Sequence, residues 1–363
     1  MGVAISILTF ILGFFANKIL EYVTDSIKKR LKRKSLEKSL DNFYTNPHRD
    51  VVITASGFPF FVPENIKESI SKENTLLLAK PNGKNSSDKS FAESDYVTND
   101  FSRFITENSL QEQLEKVRLE VFESFTNRDK GNFFNGSILG VNHLDGLVRT
   151  TDAKEAPVLS IDFYKTDYYT HKIIEQLLDS ASFDRNSLIS ELNNSLSWTR
   201  TSFGVSVIII IPKQNEIILT KRSNKAAYTE GKEWLYVSVT ETLSETDFND
   251  ETGCPDVIKC VWRGVSEELG ISERQLKKDT LRFYESFYET HFHQDNIVAS
   301  IEISESMTFS DIYSLLAKDK YMEVSDIITI PNDKSKIINF IDKNKNDMRS
   351  QTIFSLESFV ARM

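Results

Sequence analysis

Three hydrophobic patterns follow one another along this chain. From Val3 to Ala16 nearly every residue is apolar, and apolar positions continue to Val23. Between residues 48 and 194, short apolar runs alternate with polar stretches that contain glycine and proline, which predicts a mixed α+β region. From about residue 200 the apolar runs become longer. The pattern therefore predicts an N-terminal helix followed by two folded regions.

The N-terminal run is long enough to cross a membrane as a helix. Residues 3–23 would span about 31 Å, close to the ~30 Å hydrocarbon core of a bilayer. Six positive charges follow within seven positions: Lys28, Lys29, Arg30, Lys32, Arg33 and Lys34. Because positive residues mark the cytoplasmic side, we expect a single-pass helix at 3–23, a basic stalk at 24–47, and later residues in the cytoplasm of a bacterium.

Three other interpretations of this segment stay open. A cleaved signal peptide carries its positive charges before the apolar run, whereas here they follow it. The first six residues, Met1 to Ser6, also match a short N-myristoylation pattern. An amphipathic helix buried in the protein is the third alternative. A single anchor in the bacterial inner membrane is the interpretation that we favour.

The composition of the whole chain limits the classes of function that it can have. The 363 residues carry a net charge of −9, which argues against a general nucleic-acid-binding protein. Hydrophobic residues make up 40%, enough for two folded cores. The two cysteines, Cys254 and Cys260, are too few for a disulfide framework and have no further ligands at zinc-site spacing.

The region from residue 200 to residue 330 has a regular order of predicted elements. A continuous apolar run at 203–211, ended by Pro212, predicts a strand buried on both faces. Strands at 216–222 and 234–239 follow, and then a polar insertion at 244–256. Apolar residues recur at helical spacing through 257–269, and they predict one ridge that packs on a sheet: Val257, Val261, Val265 and Leu269.

This helix ends in a motif. Residues 263–271 read Arg-Gly-Val-Ser-Glu-Glu-Leu-Gly-Ile, which resembles the second half of a Nudix box. Gly264 departs from the box because the family has a glutamate there, and the first half is missing, with Pro255 and Asn249 at its glutamate and glycine positions. The resemblance implies a Nudix-like α/β/α sandwich with a mixed sheet over residues 200–330, followed by a helical extension at 331–363.

The resemblance also implies roles for particular residues. Arg263, Glu267 and Glu268 would be catalytic, and Glu267 and Glu268 would bind Mg2+ or Mn2+, since hard cations prefer oxygen ligands. Three residues near the substrate would contact a nucleotide: Lys221, Arg222 and Glu241. Because Gly264 has no carboxylate, a base would have to come from elsewhere, and the candidates are Glu241, Glu285 and Glu289. Separately, Glu241 or Asp256 would take over from the missing first glutamate of the box.

Two histidines are further candidates for the site. His291 and His293 are two positions apart and would share one face of a strand, where they would contact phosphate or metal. Two ordinary polar residues near a strand end are the simpler interpretation.

An apolar N-terminal helix joined to a degenerate Nudix-like region resembles the transmembrane-Nudix effectors of bacterial CBASS antiphage systems. That resemblance implies an oligomer that binds a cyclic nucleotide, disrupts the inner membrane through residues 3–23, and kills the cell. The alternative is a membrane-tethered, Mg-dependent hydrolase of a nucleoside diphosphate derivative. A third hypothesis is a membrane-anchored scaffold that binds only protein.

Overall fold

The structure is a computed structural model that describes residues 2–46, 48, 50–55, 65–84, 88–127, 133–147, 158–180, 191–192, 196–223, 233–318 and 320–363. The side chains of residues 2–17, 19, 147, 320 and 321 lie outside this description. The chain divides into two compact units. One comprises Met1–Pro47 with Val360–Met363, and the other comprises His48–Phe359.

The first unit contains one long helix, α1 (Gly2–Thr45). The helix predicted for residues 3–23 is therefore present, and it continues through the predicted stalk. Among the residues that the structure describes, no helix has the length and apolar character that crossing a membrane requires. The transmembrane interpretation of residues 3–23 has no support from this finding, and most of the side chains concerned lie outside the described part.

The second unit combines strands and helices. Its strands are β1 (Val51–Ala55), β2 (Ile66–Thr75), β3 (Ser137–Leu147), β4 (Val158–Asp167), β5 (Phe203–Ile211), β6 (Glu216–Arg222), β7 (Leu235–Val237), β8 (Val239–Thr242), β9 (Leu276–Glu289), β10 (Gln294–Ile303) and β11 (Val324–Pro331). Its helices are α2 (Asn99–Glu107), α3 (Gln111–Thr126), α4 (Tyr168–Ser180), α5 (Val257–Leu269), α6 (Phe309–Ser314), α7 (Lys320–Glu323), α8 (Lys334–Asn344) and α9 (Ser350–Ala361).

The larger sheet is mixed. Its strand order is β1-β9-β10-β5-β6-β11, and β10 and β5 are parallel while the other pairs are antiparallel. β7 pairs with β6, and β8 pairs with β5. The sequence predicts one strand at 234–239, but Ser238 interrupts it. The Ser238 hydroxyl accepts from the Ile209 amide at 2.8 Å and donates to the Ile218 carbonyl at 2.6 Å, so the chain changes partners there.

The smaller sheet has three strands in the order β2-β4-β3. Side chains from both sheets belong to one hydrophobic core, which includes Leu159 and Phe163 of β4 and Phe203 of β5. The predicted ridge of α5 is buried in the same core, with Val257, Val261, Val265 and Leu269 all fully buried. The α/β fold class with a mixed sheet is therefore confirmed.

Local predictions differ in outcome. The strand at 203–211 and the helix at 257–269 have the predicted bounds. The strand prediction for His291 and His293 is wrong, because both lie in the turn between β9 and β10, where His293 has a φ of 49°. The apolar run at 58–63, which with its prolines predicts strands and turns, lies outside the described residues.

Candidate functional site

Helix α5 is fixed at both ends by its caps. The Asp256 carboxylate accepts from the amides of Ile258 and Lys259 at 2.9 and 3.0 Å, as an N-cap does. Gly270 ends the helix with a φ of 73°, a left-handed conformation that glycine adopts without strain. Asp256 is therefore the N-cap of α5, and its role as a replacement for the missing box glutamate stays a prediction from the sequence.

The C-terminal turn of α5 lies beside a pocket of about 400 Å³. One end of the pocket is acidic and is lined by Glu241, Glu267, Glu268 and Glu323. Two cationic side chains, Arg222 and Arg349, also line it. A pocket of this size accommodates a small molecule.

Arg263 does not line the pocket but holds its acidic end together. The guanidinium donates to the Asp247 carboxylate at 2.7 and 2.8 Å and to the Thr242 carbonyl at 2.8 Å. It also lies 3.0 Å from Glu241 and 3.3 Å from Glu267. Arg263 is therefore a positioning residue that ties α5 to β8 and to the polar insertion.

The two adjacent glutamates have different environments. Glu267 accepts from Arg263 and, at 2.8 Å, from the ammonium of Lys318. Glu268 is 5% exposed and accepts from the Thr240 amide at 3.2 Å. Two cations thus neutralise Glu267, whereas Glu268 is buried beside other carboxylates.

Gly264 is explained by the close approach of strand β8. A Cβ atom at position 264 would lie 2.8 Å from Glu241 Cβ and 2.9 Å from Val239 Cγ1, both too close for ordinary contact. The side chain of Glu241 therefore fills the space into which a glutamate at 264 would extend. Of the three base candidates, Glu241 is the one that lines the pocket.

The carboxyl groups of Glu241 and Glu268, which both line the pocket, are poorly solvated. Burial raises the pKa of Glu241 to about 7, against the opposing charge of Arg263. Burial also raises the pKa of Glu268 well above its usual range, and the charges of Glu241 and Glu323 raise it further. At neutral pH the protonated form of Glu268 is therefore favoured, and Glu241 is about half protonated; a protonated carboxyl can donate a hydrogen bond.

Glu241→Gln is expected to flatten the pH dependence of stability. The folded-state pKa of Glu241 lies above its usual value of 4.5, so the folded chain holds an extra proton between about pH 4.5 and 7. The contribution of Glu241 to the free energy of unfolding is therefore fully present below about pH 4.5, and it is lost as the pH rises through about 7. We expect the variant to lose less stability than the wild type from pH 5 to 7.5, by about 2 kcal/mol, in urea titrations.

Glu305→Gln is the matched control. A hydrogen bond from Lys277 lowers the pKa of Glu305, so its small contribution is lost as the pH falls, with the opposite sign. Equal slopes for the wild type and Glu241→Gln would contradict the raised pKa.

Binding of the metal that the resemblance implies would require Glu267 to exchange one of its present partners. In the part of the chain that the structure describes, no group of three or more His, Cys, Asp or Glu side chains is arranged to hold a metal ion. Lys318 already contacts Glu267, and a cation there would have to displace it. Binding of Mg2+ or Mn2+ at Glu267 and Glu268 stays a prediction from the sequence.

Several predicted site residues lie elsewhere. Lys221 does not line the pocket and pairs with Glu233 at 2.6 Å. Glu285 accepts from Ser358 of α9, and Glu289 accepts at 2.9 Å from Arg349, which precedes α9. Arg222 and Glu241 line the pocket as expected.

The sequence gives no sign that several other residues line the pocket. Arg349 and Gln351 come from the C-terminal extension, and Phe133, Phe134 and Tyr168 come from the region before residue 194. They reach the pocket through tertiary packing, which no local pattern signals. Asp247 was missed because it lies in the polar insertion, although its complete burial shows its structural importance.

Comparisons with known proteins give little further information. No family model matches the chain, and no curated protein matches it. Among the solved structures that match is the crystal structure of Tm1382, a proposed Nudix hydrolase, at 12% identity and a TM-score of 0.31. The match covers 62% of this chain and 100% of that one. A score this low does not establish a shared fold.

Proposed function

We propose that this chain binds a nucleotide in the pocket beside α5 and acts as a sensor that does not hydrolyse it. The observation that carries the proposal is the pocket itself, where the carboxylates of the Nudix-like motif lie together with two arginines. Arginine guanidinium groups bind phosphate oxygens with charge-assisted hydrogen bonds. Protonated Glu241 and Glu268 would reduce the negative charge that repels phosphate.

The state of the motif favours binding over hydrolysis. Gly264 supplies no carboxylate, and Glu267 is neutralised by Arg263 and Lys318. The wider role that we propose is that of a membrane-anchored, oligomeric effector of a CBASS-type antiphage system, in which a cyclic nucleotide triggers membrane disruption through residues 3–23. This part rests on the sequence resemblance alone.

The alternative is a membrane-tethered hydrolase of a nucleoside diphosphate derivative. It is favoured by the position of Glu241 beside Gly264, since a carboxylate is thereby present near the place of the missing one. Such an enzyme would require a divalent cation and would release a monophosphate.

The full chain in detergent, incubated with and without Mg2+, tests these alternatives. The ligand panel contains cyclic dinucleotides, cyclic trinucleotides, NAD and nucleotide sugars, and both melting temperature and product formation are recorded. A sensor melts at a higher temperature with a nucleotide and forms no product, because only the folded state binds.

We expect Arg222→Ala to weaken that binding about tenfold, since a phosphate contact is lost.

Glu268→Gln separates the two functions. Binding by a sensor survives this change, whereas monophosphate release by a hydrolase is lost. Glu251→Gln, an exposed change in the polar insertion, is the control for both readouts. Metal-dependent release of a monophosphate would overturn the sensor proposal, and no melting shift with any nucleotide would favour a scaffold.

A further inference from the structure

Three side-chain amides also line the pocket. Gln294 and Asn296 project from β10, and Gln351 projects from the first turn of α9. We call these three residues the amide floor. Asn296 and Gln351 are 1% and 2% exposed, so their polar atoms must find partners inside the protein or on a ligand.

The amide of Gln351 is fixed by its nitrogen. Nε2 donates to Ser206 Oγ at 2.7 Å and to Asn296 Oδ1 at 2.8 Å, which uses both of its hydrogens. The carbonyl oxygen Oε1 is buried and has no hydrogen-bond partner among the described residues. A buried acceptor without a donor is unfavourable, so a ligand that brings an N–H group to Oε1 gains free energy on binding.

Strand β5 passes close to the amide floor and restricts it. A Cβ atom at Gly204 would lie 2.7 Å from Asn296 Oδ1 and 3.0 Å from Gln294 Nε2. Glycine at this position therefore leaves room for the two amides, whose orientation the backbone then limits. An oriented amide distinguishes ligands by the groups that they present.

Aromatic side chains line the same pocket. Phe133, Phe134 and Tyr168 come from the region before residue 194, and Tyr236 and Phe292 come from the larger sheet and its turn. Phe134 is 77% exposed, although an aromatic ring is costly to leave in water. Aromatic rings are surfaces on which nucleobases stack.

We propose that the amide floor recognises the exocyclic amino group of a 6-aminopurine, which donates to Gln351 Oε1. The base would lie among the aromatic side chains, with its phosphates toward Arg222. Only an acceptor is available on Gln351, because both hydrogens of Nε2 are already used. This inference rests on the proposed nucleotide binding and adds the class of base.

The test compares two nucleotides that differ by this one amino group. ADP and the 5′-diphosphate of purine riboside are titrated calorimetrically into the full chain in detergent. We expect ADP to bind about tenfold more tightly, because the other base has no N–H to offer to Gln351 Oε1. Equal dissociation constants would overturn the recognition of the amino group but leave nucleotide binding intact. If neither diphosphate binds, the recognition of a 6-aminopurine is overturned, whereas nucleotide binding itself is decided separately by the melting shifts of the ligand panel.

Variants of Gln351 locate the effect. Gln351→Leu removes the acceptor, and the tenfold preference for ADP is expected to disappear. Thr352→Val is the matched control, since Thr352 lies next along α9, is buried, and does not line the pocket. If Gln351→Leu still binds ADP more tightly than the other diphosphate, Gln351 is not the residue that recognises the amino group. The comparison of the two diphosphates on the wild type does not depend on any variant.

Discussion

Asp295→Asn is expected to lower the free energy of unfolding by about 3–5 kcal/mol, because it leaves the charge of Arg200 buried and uncompensated. Arg200 Nε donates to Asp295 Oδ2 at 2.8 Å and Nη2 donates to Oδ1 at 2.6 Å. Both side chains are fully buried. Asparagine keeps the shape of aspartate but removes its charge, so the loss reports electrostatics rather than packing.

The position of this ion pair explains why its loss should affect the whole second unit. The Arg200 carbonyl accepts from the Val141 amide of β3 at 2.7 Å, and the Asp295 amide at the start of β10 donates to the Ser202 carbonyl at 2.9 Å. The pair therefore lies where the smaller sheet meets the larger one. Breaking it removes an anchor from both sheets.

The shift of the urea midpoint, followed by circular dichroism, measures the effect. Glu305→Ala is the control, because it breaks an exposed pair with Lys277 at 2.8 Å and should have little effect on the urea midpoint. A double variant, Arg200→Met with Asp295→Leu, should recover much of the stability by removing both charges. A loss below about 1 kcal/mol in Asp295→Asn would show that the pair contributes little.

The elements predicted most accurately are those whose signal is local. The strand at 203–211 is buried on both faces, and a continuous apolar run is sufficient to predict that. The helix at 257–269 has its apolar ridge and both caps within its own sequence. Ser238 shows the limit of such prediction, since the partners of its hydroxyl are on two other strands.

The site was predictable only in part for the same reason. The motif identified Glu267 and Glu268 at the pocket, because adjacent carboxylates at a capped helix end are visible in the sequence. Arg349 and Gln351 come from residues more than 80 positions later, and Lys221, which was expected in the pocket, pairs instead with Glu233. Charge and type of residue do not indicate which side of a strand faces a pocket.

Gly264→Glu, which introduces the residue that the Nudix box has at this position, is expected to destabilise this chain by about 3 kcal/mol. Overpacking costs about 1–3 kcal/mol, and a poorly solvated carboxylate adds to it. The contacts responsible are those of the new Cβ with Glu241 Cβ at 2.8 Å and Val239 Cγ1 at 2.9 Å. Ser266→Glu, an exposed change on the same helix, is the control and should cost less than about 0.5 kcal/mol.

A double-mutant cycle with Glu241→Gly tests whether the two positions share one carboxylate. Removal of the Glu241 side chain opens the space beside position 264, so the combined variant should be about 1–2 kcal/mol more stable than the sum of the single changes predicts. Val239 stays in place, and recovery is therefore incomplete. Additive effects in urea titrations would mean that Glu241 does not occupy the place of the missing glutamate. Favourable coupling would mean that the Glu241 side chain on strand β8 occupies the space that a glutamate at position 264 of helix α5 would need.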